Sequence, residues 1–186
     1  MRILCIISTV MALTTTACSN SVVIQDDPGP RGSYFKGDLS NAVRNGAIVT
    51  VVVGNPFGME KARFDDRVRG LMKHENRELP AEFVAAHSDR TVRPYRVVVA
   101  FDLRKGISVY DACTEPGSLA TVPRSRWVNI SVAFCQGDSV KSATEGYVGD
   151  VSSVDDPKFS ELVKAATRYM VSDYDYENDN TGPRVP

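Results

Sequence analysis

The sequence predicts an α+β fold: a two-layer sandwich in which a mixed or antiparallel sheet of about four or five strands carries two helices on one face. Three observations carry this expectation. Strand-like runs follow one another instead of alternating strictly with helices, two amphipathic helices each show a single apolar stripe, and the best strands alternate apolar and polar residues.

The chain begins with a charge at Arg2 and an apolar run from Ile3 to Leu13, too short to anchor stably across a hydrocarbon core of about 30 Å. Thr14, Thr15, Thr16 and Ala17 then lead to Cys18, small residues of the kind a signal peptidase accepts. With these residues the N-terminus resembles the bacterial lipoproteins, whose signal ends in a small residue followed by a lipid-bearing cysteine. The resemblance implies lipidation of Cys18 and anchorage on the periplasmic side of the envelope. Ser19 is similar to the second residue of lipoproteins sent to the outer membrane. An ordinary secretory peptidase also suits Thr15 to Ala17 and would leave Cys18 unmodified. Residues 1–17 are therefore expected to be a signal peptide and residues 18–40 a lipidated tether of small, polar and turn-forming residues. Residues 41–172 form a single α+β domain, and residues 173–186 a disordered acidic tail.

Within the domain, Ala47 to Val53 is β-branched after its first residue and apolar on both faces, which suits an interior strand. Gly54 to Gly58 ends it. Phe64, Val68, Leu71 and Met72 then share one face of a helix over Met59 to Lys73. Between Pro80 and Pro94 the pattern gives a short helical turn at Ala81 to Ala86. Tyr95, Val97, Val99, Phe101 and Leu103 mark a second strand, and Ile107 to Tyr110 a short third. Val128 to Cys135 and Val140 to Val148, joined by Gly137 and Asp138, read as a β-hairpin. Asp155, Asp156 and Pro157 supply a capping carboxylate and a first-turn proline for a last helix whose apolar face is Phe159, Leu162, Val163, Ala166 and Met170. The Ala133-Phe134-Cys135 strand end, the Gly137-Asp138 turn and the Asp156-Pro157-x-Phe159 helix start also resemble uncharacterised proteobacterial envelope lipoproteins, a likeness that implies no activity.

Chemistry is sparsely signalled. With 22 basic and 23 acidic side chains the charge is nearly balanced, so nothing draws the chain to nucleic acid. Neither His74 nor His87 has a metal-ligand or triad spacing, and no phosphate loop, dinucleotide fingerprint or serine elbow occurs. No cofactor or metal is expected. Setting aside Cys5 in the signal and Cys18 at the cleavage point leaves Cys113 and Cys135, for which a disulfide is the expected state in an oxidising compartment; two separate buried thiols are the alternative. Arg90, Arg93, Arg96, Arg104, Lys105, Arg124 and Arg126 are a candidate basic patch for phosphate-bearing lipid headgroups, against the plainer reading of a solvated surface. The second face of the sheet, with Arg96, Val98, Ala100, Asp102, Asn129, Ser131, Ala133 and Tyr147, is half polar, either plain exposed sheet or a shallow docking surface. The expected function is a binding or scaffolding module of the cell envelope, held to the membrane by its N-terminal lipid and engaging another envelope protein. The alternative is a periplasmic enzyme or small-ligand or lipid carrier whose site assembles only in three dimensions.

Overall fold

The computed structural model describes residues 21–26, 36–73 and 81–171. Strands β1 (Val23–Asp26), β2 (Ala47–Val53), β3 (Glu82–Val84), β4 (Thr91–Phe101), β5 (Trp127–Gln136) and β6 (Ser139–Gly149) form one sheet, and the helices are α1 (Lys36–Ala42), α2 (Lys61–Lys73) and α3 (Pro157–Val171). The strand order is β1-β6-β5-β4-β2-β3. β1, β6, β5 and β4 run antiparallel to their neighbours, whereas β4, β2 and β3 are parallel. The fold is thus α+β with a mixed sheet, of six strands instead of four or five.

Both additional strands lie at edges. β1 falls in the segment expected to be a tether, where its partner is β6, from Val23 opposite Tyr147 to Asp26 opposite Thr144. Pairing with a long strand gives this short run the backbone hydrogen bonds that its own sequence could not secure. α1 also begins before residue 41, because Leu39 and Ala42 are buried in the core. β3 replaces the helical turn expected at Ala81 to Ala86. It adds to β2 in parallel, with Glu82 opposite Ala47, and Glu82 accepts a hydrogen bond from Arg90 at 2.8 Å. Long-range pairing decides this segment over local propensity.

All three helices pack on one face. Phe64, Val68, Leu71 and Met72 of α2 and Phe159, Leu162, Val163, Ala166 and Met170 of α3 share a buried cluster with Ile48, Val97, Val99, Phe101, Val128, Ile130 and Val132 of the sheet. Glu60 accepts hydrogen bonds from the Ala62 and Arg63 amides at the start of α2, and Asp156 accepts one from the Lys158 amide at 3.0 Å at the start of α3. Lys61 and Arg69 on α2 donate to the Val52 and Thr50 carbonyls at 2.9 and 3.5 Å, which satisfies the β2 edge beyond the reach of β3.

The second face is covered as well. Ile107 to Tyr110 does not form a strand; Ser108 and Asp111 make a capping box that starts a 3-10 turn at Val109–Cys113. Val109, Ala112, Cys113 and Leu119 pack on Val98, Ala100, Ala133 and Cys135. Cys113 and Cys135 are joined in a disulfide, with Cα atoms 5.5 Å apart and both residues fully buried. The bond therefore fastens a connection to a strand. Arg96, cross-strand from Cys135, donates to the Cys113 carbonyl and holds the same turn.

Candidate functional site

The covering turn leaves part of the second face open, toward the start of β5 and the end of β6. Trp127 pairs with Gly149, Asn129 with Tyr147 and Ser131 with Glu145. Their neighbours Val128, Ile130 and Val132 point into the helix-side core, so this row points the other way. Trp127 is 38% exposed. Its ring lies directly on Gly149, where a Cβ would come within 2.6 Å of it. Tyr147 meets it edge-on with centroids 5.6 Å apart, and the Arg126 guanidinium lies 5.9 Å from the ring centroid. Arg126 in turn donates to both Asp150 oxygens at 2.8 and 2.9 Å. Next along the row, Ser131 donates to Glu145 at 3.2 Å. A glycine seat, an aromatic wall and an ion pair thus hold an exposed indole on a rigid strand. Such an arrangement loses little side-chain entropy when a partner covers it.

A second polar centre lies where β4 ends. Asp102 adopts φ +48°, a conformation uncommon outside glycine, and is 4% exposed. Its amide still donates to the Asn129 carbonyl of β5 at 3.1 Å, while its carbonyl turns out of the ladder. Its carbonyl accepts from the Val122 amide at 2.8 Å, while carboxylate Oδ1 accepts from the Asn129 amide and side chain at 2.9 and 3.1 Å. Oδ2 is buried and no described group donates to it. Burial lifts the carboxyl pKa above its ordinary 3.8, opposed by the Asn129 hydrogen bonds and by the charge of Arg124. The native state therefore holds this proton more tightly than the unfolded chain does. Stability should fall, relative to an Asp102→Asn variant, as pH rises from the ordinary aspartate range through the raised native value. Urea unfolding of both proteins across this range checks the sign, and a difference that does not change with pH would refute it.

No family model and no curated protein matches the chain. Among solved structures it is similar to the PelC dodecamer from Paraburkholderia phytofirmans, with 14% identity over 81% of this chain and 95% of that one at a TM-score of 0.40. A point variant of the same dodecamer gives the same identity and coverage at 0.39. Likeness this loose fixes neither function nor assembly.

The structure disperses the candidate basic patch. Arg90 and Arg93 flank the start of β4, and Arg104 and Lys105 follow its end. Thr91 lies opposite Ala47 and Ala100 opposite Val53, so at about 3.3 Å per residue the two ends of β4 are roughly 20 Å apart. Arg90 is engaged with Glu82, Arg96 with the Cys113 carbonyl, and Arg126 with Asp150. Arg124 donates to the Val151 carbonyl at 2.9 Å with its guanidinium 5.2 Å from the Phe57 ring centroid. Of the second-face residues, Val98, Ala100 and Ala133 are buried beneath the stapled turn, so the docking surface that the alternation outlined shrinks to the Trp127 end. His87 shares a hydrogen bond with Thr91 at 3.2 Å. Cys18, His74 and the tail at 173–186 lie outside the described residues.

Proposed function

We propose that the chain is an exported envelope protein, anchored through lipidated Cys18 on the periplasmic face of the outer membrane, that binds or scaffolds another envelope protein through the Trp127 end of its sheet. The observation that carries the binding assignment is the exposed indole of Trp127, held between Gly149, Tyr147 and the Arg126–Asp150 pair. Buried aromatic anchors dominate many protein interfaces, and a ring already fixed in place needs little ordering on contact. The export reading rests on the Ile3 to Leu13 run and on Ala17 before Cys18. A diacylglyceryl group plus one N-acyl chain on Cys18, at about 0.8 kcal/mol per buried methylene, would hold such a protein durably at a membrane.

Crosslinking in cells with a photoreactive residue at Asn129, followed by mass spectrometry, should recover one reproducible envelope partner. Trp127→Ala should reduce that product at least tenfold, in line with loss of a hot-spot residue worth about 2 kcal/mol. Cys18→Ala should abolish labelling by a clickable palmitate and release the protein from membranes. Recovery of no partner, or of the same product with Trp127→Ala, would defeat the binding assignment. Absence of palmitate from the wild-type chain would defeat the anchor.

A further inference from the structure

Pairing of β1 decides at which end of the sheet the N-terminal chain leaves. Val23 lies opposite Tyr147, so the start of β1 stands beside the end of β6, and Trp127 opposite Gly149 puts both beside the start of β5. β1 is seated there on a glycine. A Cβ on Gly146 would come within 2.7 Å of Ile24 Cδ1, 2.9 Å of the Val23 carbonyl oxygen and 3.2 Å of Leu162 Cδ1 on α3. Chain length then limits the reach. Only residues 19–22 separate Cys18 from β1, so at roughly 3.6 Å per extended residue the Cα atoms of Cys18 and Val23 are at most about 18 Å apart. A lipid on Cys18 would hold this end of the sheet beside the bilayer and turn the opposite end away.

The same end gathers part of the basic set. Phe101 opposite Ile130 brings the end of β4 to the start of β5, so Arg104 and Lys105 emerge where Arg124 and Arg126 enter. The two connections are tied to each other. The Arg104 amide donates to the Ala120 carbonyl at 2.9 Å, the Val122 amide to the Asp102 carbonyl at 2.8 Å, and Leu103 bridges to Thr121. Arg104, Lys105, Val122, Arg124 and Arg126 are all exposed. Carboxylates at this end are engaged elsewhere: Asp150 pairs with Arg126, Asp156 accepts from the Ser152 and Lys158 amides, and Asp102 is buried. Among the described residues no carboxylate pairs with Arg104 or Lys105. Surplus positive charge around an exposed apolar side chain, Val122, complements an anionic lipid surface.

We infer that this end of the sheet docks on anionic phospholipid headgroups, with Arg104, Lys105 and Arg124 facing the phosphates and Val122 at the contact. The inference rests on the reading of Cys18 as the lipid-bearing residue for its place at a membrane, whereas the charged cluster stands without it. Basic side chains near an anionic surface strengthen binding about fivefold each, so three give only a weak contact. A leash of a few residues makes that contact intramolecular, and a weak one then suffices to orient the domain. The Trp127 row continues from this surface along the second face, so a protein that covers it meets it beside the bilayer.

Residues 19–186, which keep every described element and omit the signal and the anchor, are mixed at millimolar lipid with vesicles of phosphatidylethanolamine and phosphatidylglycerol. Vesicles of phosphatidylcholine form the second arm. Binding is read by sedimentation and by the emission of Trp127, the one tryptophan of the chain. The expected result is binding to the phosphatidylglycerol vesicles that salt abolishes, with a shifted emission, and little binding to phosphatidylcholine. Arg104→Gln with Lys105→Gln should weaken it at least tenfold. Arg44→Gln with Arg93→Gln, the same change of charge at the opposite end of the sheet, should leave it within about twofold. No binding, equal binding to both vesicle types, or equal losses in the two paired variants overturns the proposal. Absence of palmitate on Cys18 together with the expected vesicle result would remove the anchor and leave the headgroup surface standing.

Discussion

Replacing Phe159 with alanine should lower the unfolding free energy by about 3–5 kcal/mol, the range found when a fully buried phenylalanine is truncated. Phe159 has no exposed surface and lies at the centre of a four-ring group, with centroids 5.1 Å from Phe57, 6.1 Å from Phe64 and 5.6 Å from Phe101. These rings come from α3, the loop after β2, α2 and β4, so one side chain ties four segments to the helix face. Its loss removes both the transferred apolar surface and one edge-on and two tilted ring contacts, aromatic pairs being worth about 0.5–1.5 kcal/mol each. Typical domains are stable by only about 5–15 kcal/mol, and the variant would lose a fifth or more of such a reserve. Urea unfolding should show a lower midpoint with an unchanged slope. Val122→Ala, at a position 44% exposed, should stay within about 0.5 kcal/mol of the parent. A loss below about 1 kcal/mol at Phe159 would mean that the ring group does not organise the core.

Elements with strong local patterns were legible in the sequence. Ala47 to Val53 is β2 to the residue, because a β-branched run with apolar residues on both sides has few other ways to satisfy itself. Asp156 and Pro157 located the start of α3 through a cap and a preset φ. The hairpin followed from alternation and a Gly137-Asp138 turn. β1 and β3 were not legible, since four and three residues carry too little periodicity and each becomes a strand only through its neighbour. The 3-10 turn at Val109–Cys113 did have a signal: Ser108 with Asp111 three residues on is a capping box, which the strand reading of Ile107 to Tyr110 passed over.

The same reasons govern the candidate sites. Alternation correctly put Asn129 and Tyr147 on the face away from the helices, but it did not single out Trp127 and could not show that a turn from residues 107–119 would bury Val98, Ala100 and Ala133 on that face. Asp102 looks in sequence like one more polar position of a strand. Its burial and its φ of +48° follow from the handover of its carbonyl to Val122, a contact twenty residues away. The arginines close in sequence are spread out for a related reason, because an 11-residue strand sets those before it and those after it at its two ends.

Removing the disulfide should have an effect of similar size on a different part of the molecule. Cys113 and Cys135 are 22 positions apart, and closing a loop of this length stabilises the native state by about 3 kcal/mol in the chain-entropy model. Cys135 belongs to β5, whose other side is already packed by the helix-side core, so the sheet should survive without the bond. Cys113 belongs to a short turn held otherwise by Val109, Ala112 and Leu119 on the sheet and by the Arg96 hydrogen bond to its carbonyl. The paired substitution Cys113→Ala with Cys135→Ala is therefore expected to reduce stability by about 3 kcal/mol or somewhat less. Amide exchange should quicken most over residues 107–119, with β4, β5 and β6 still protected, because regions with few buried contacts open first. Unreduced, denatured protein isolated from an oxidising compartment should show no free thiol at Cys113 or Cys135 by mass mapping. Free thiols there, or a double variant as stable as the parent with equally slow exchange over residues 107–119, would show that the turn holds the second face without its covalent tie.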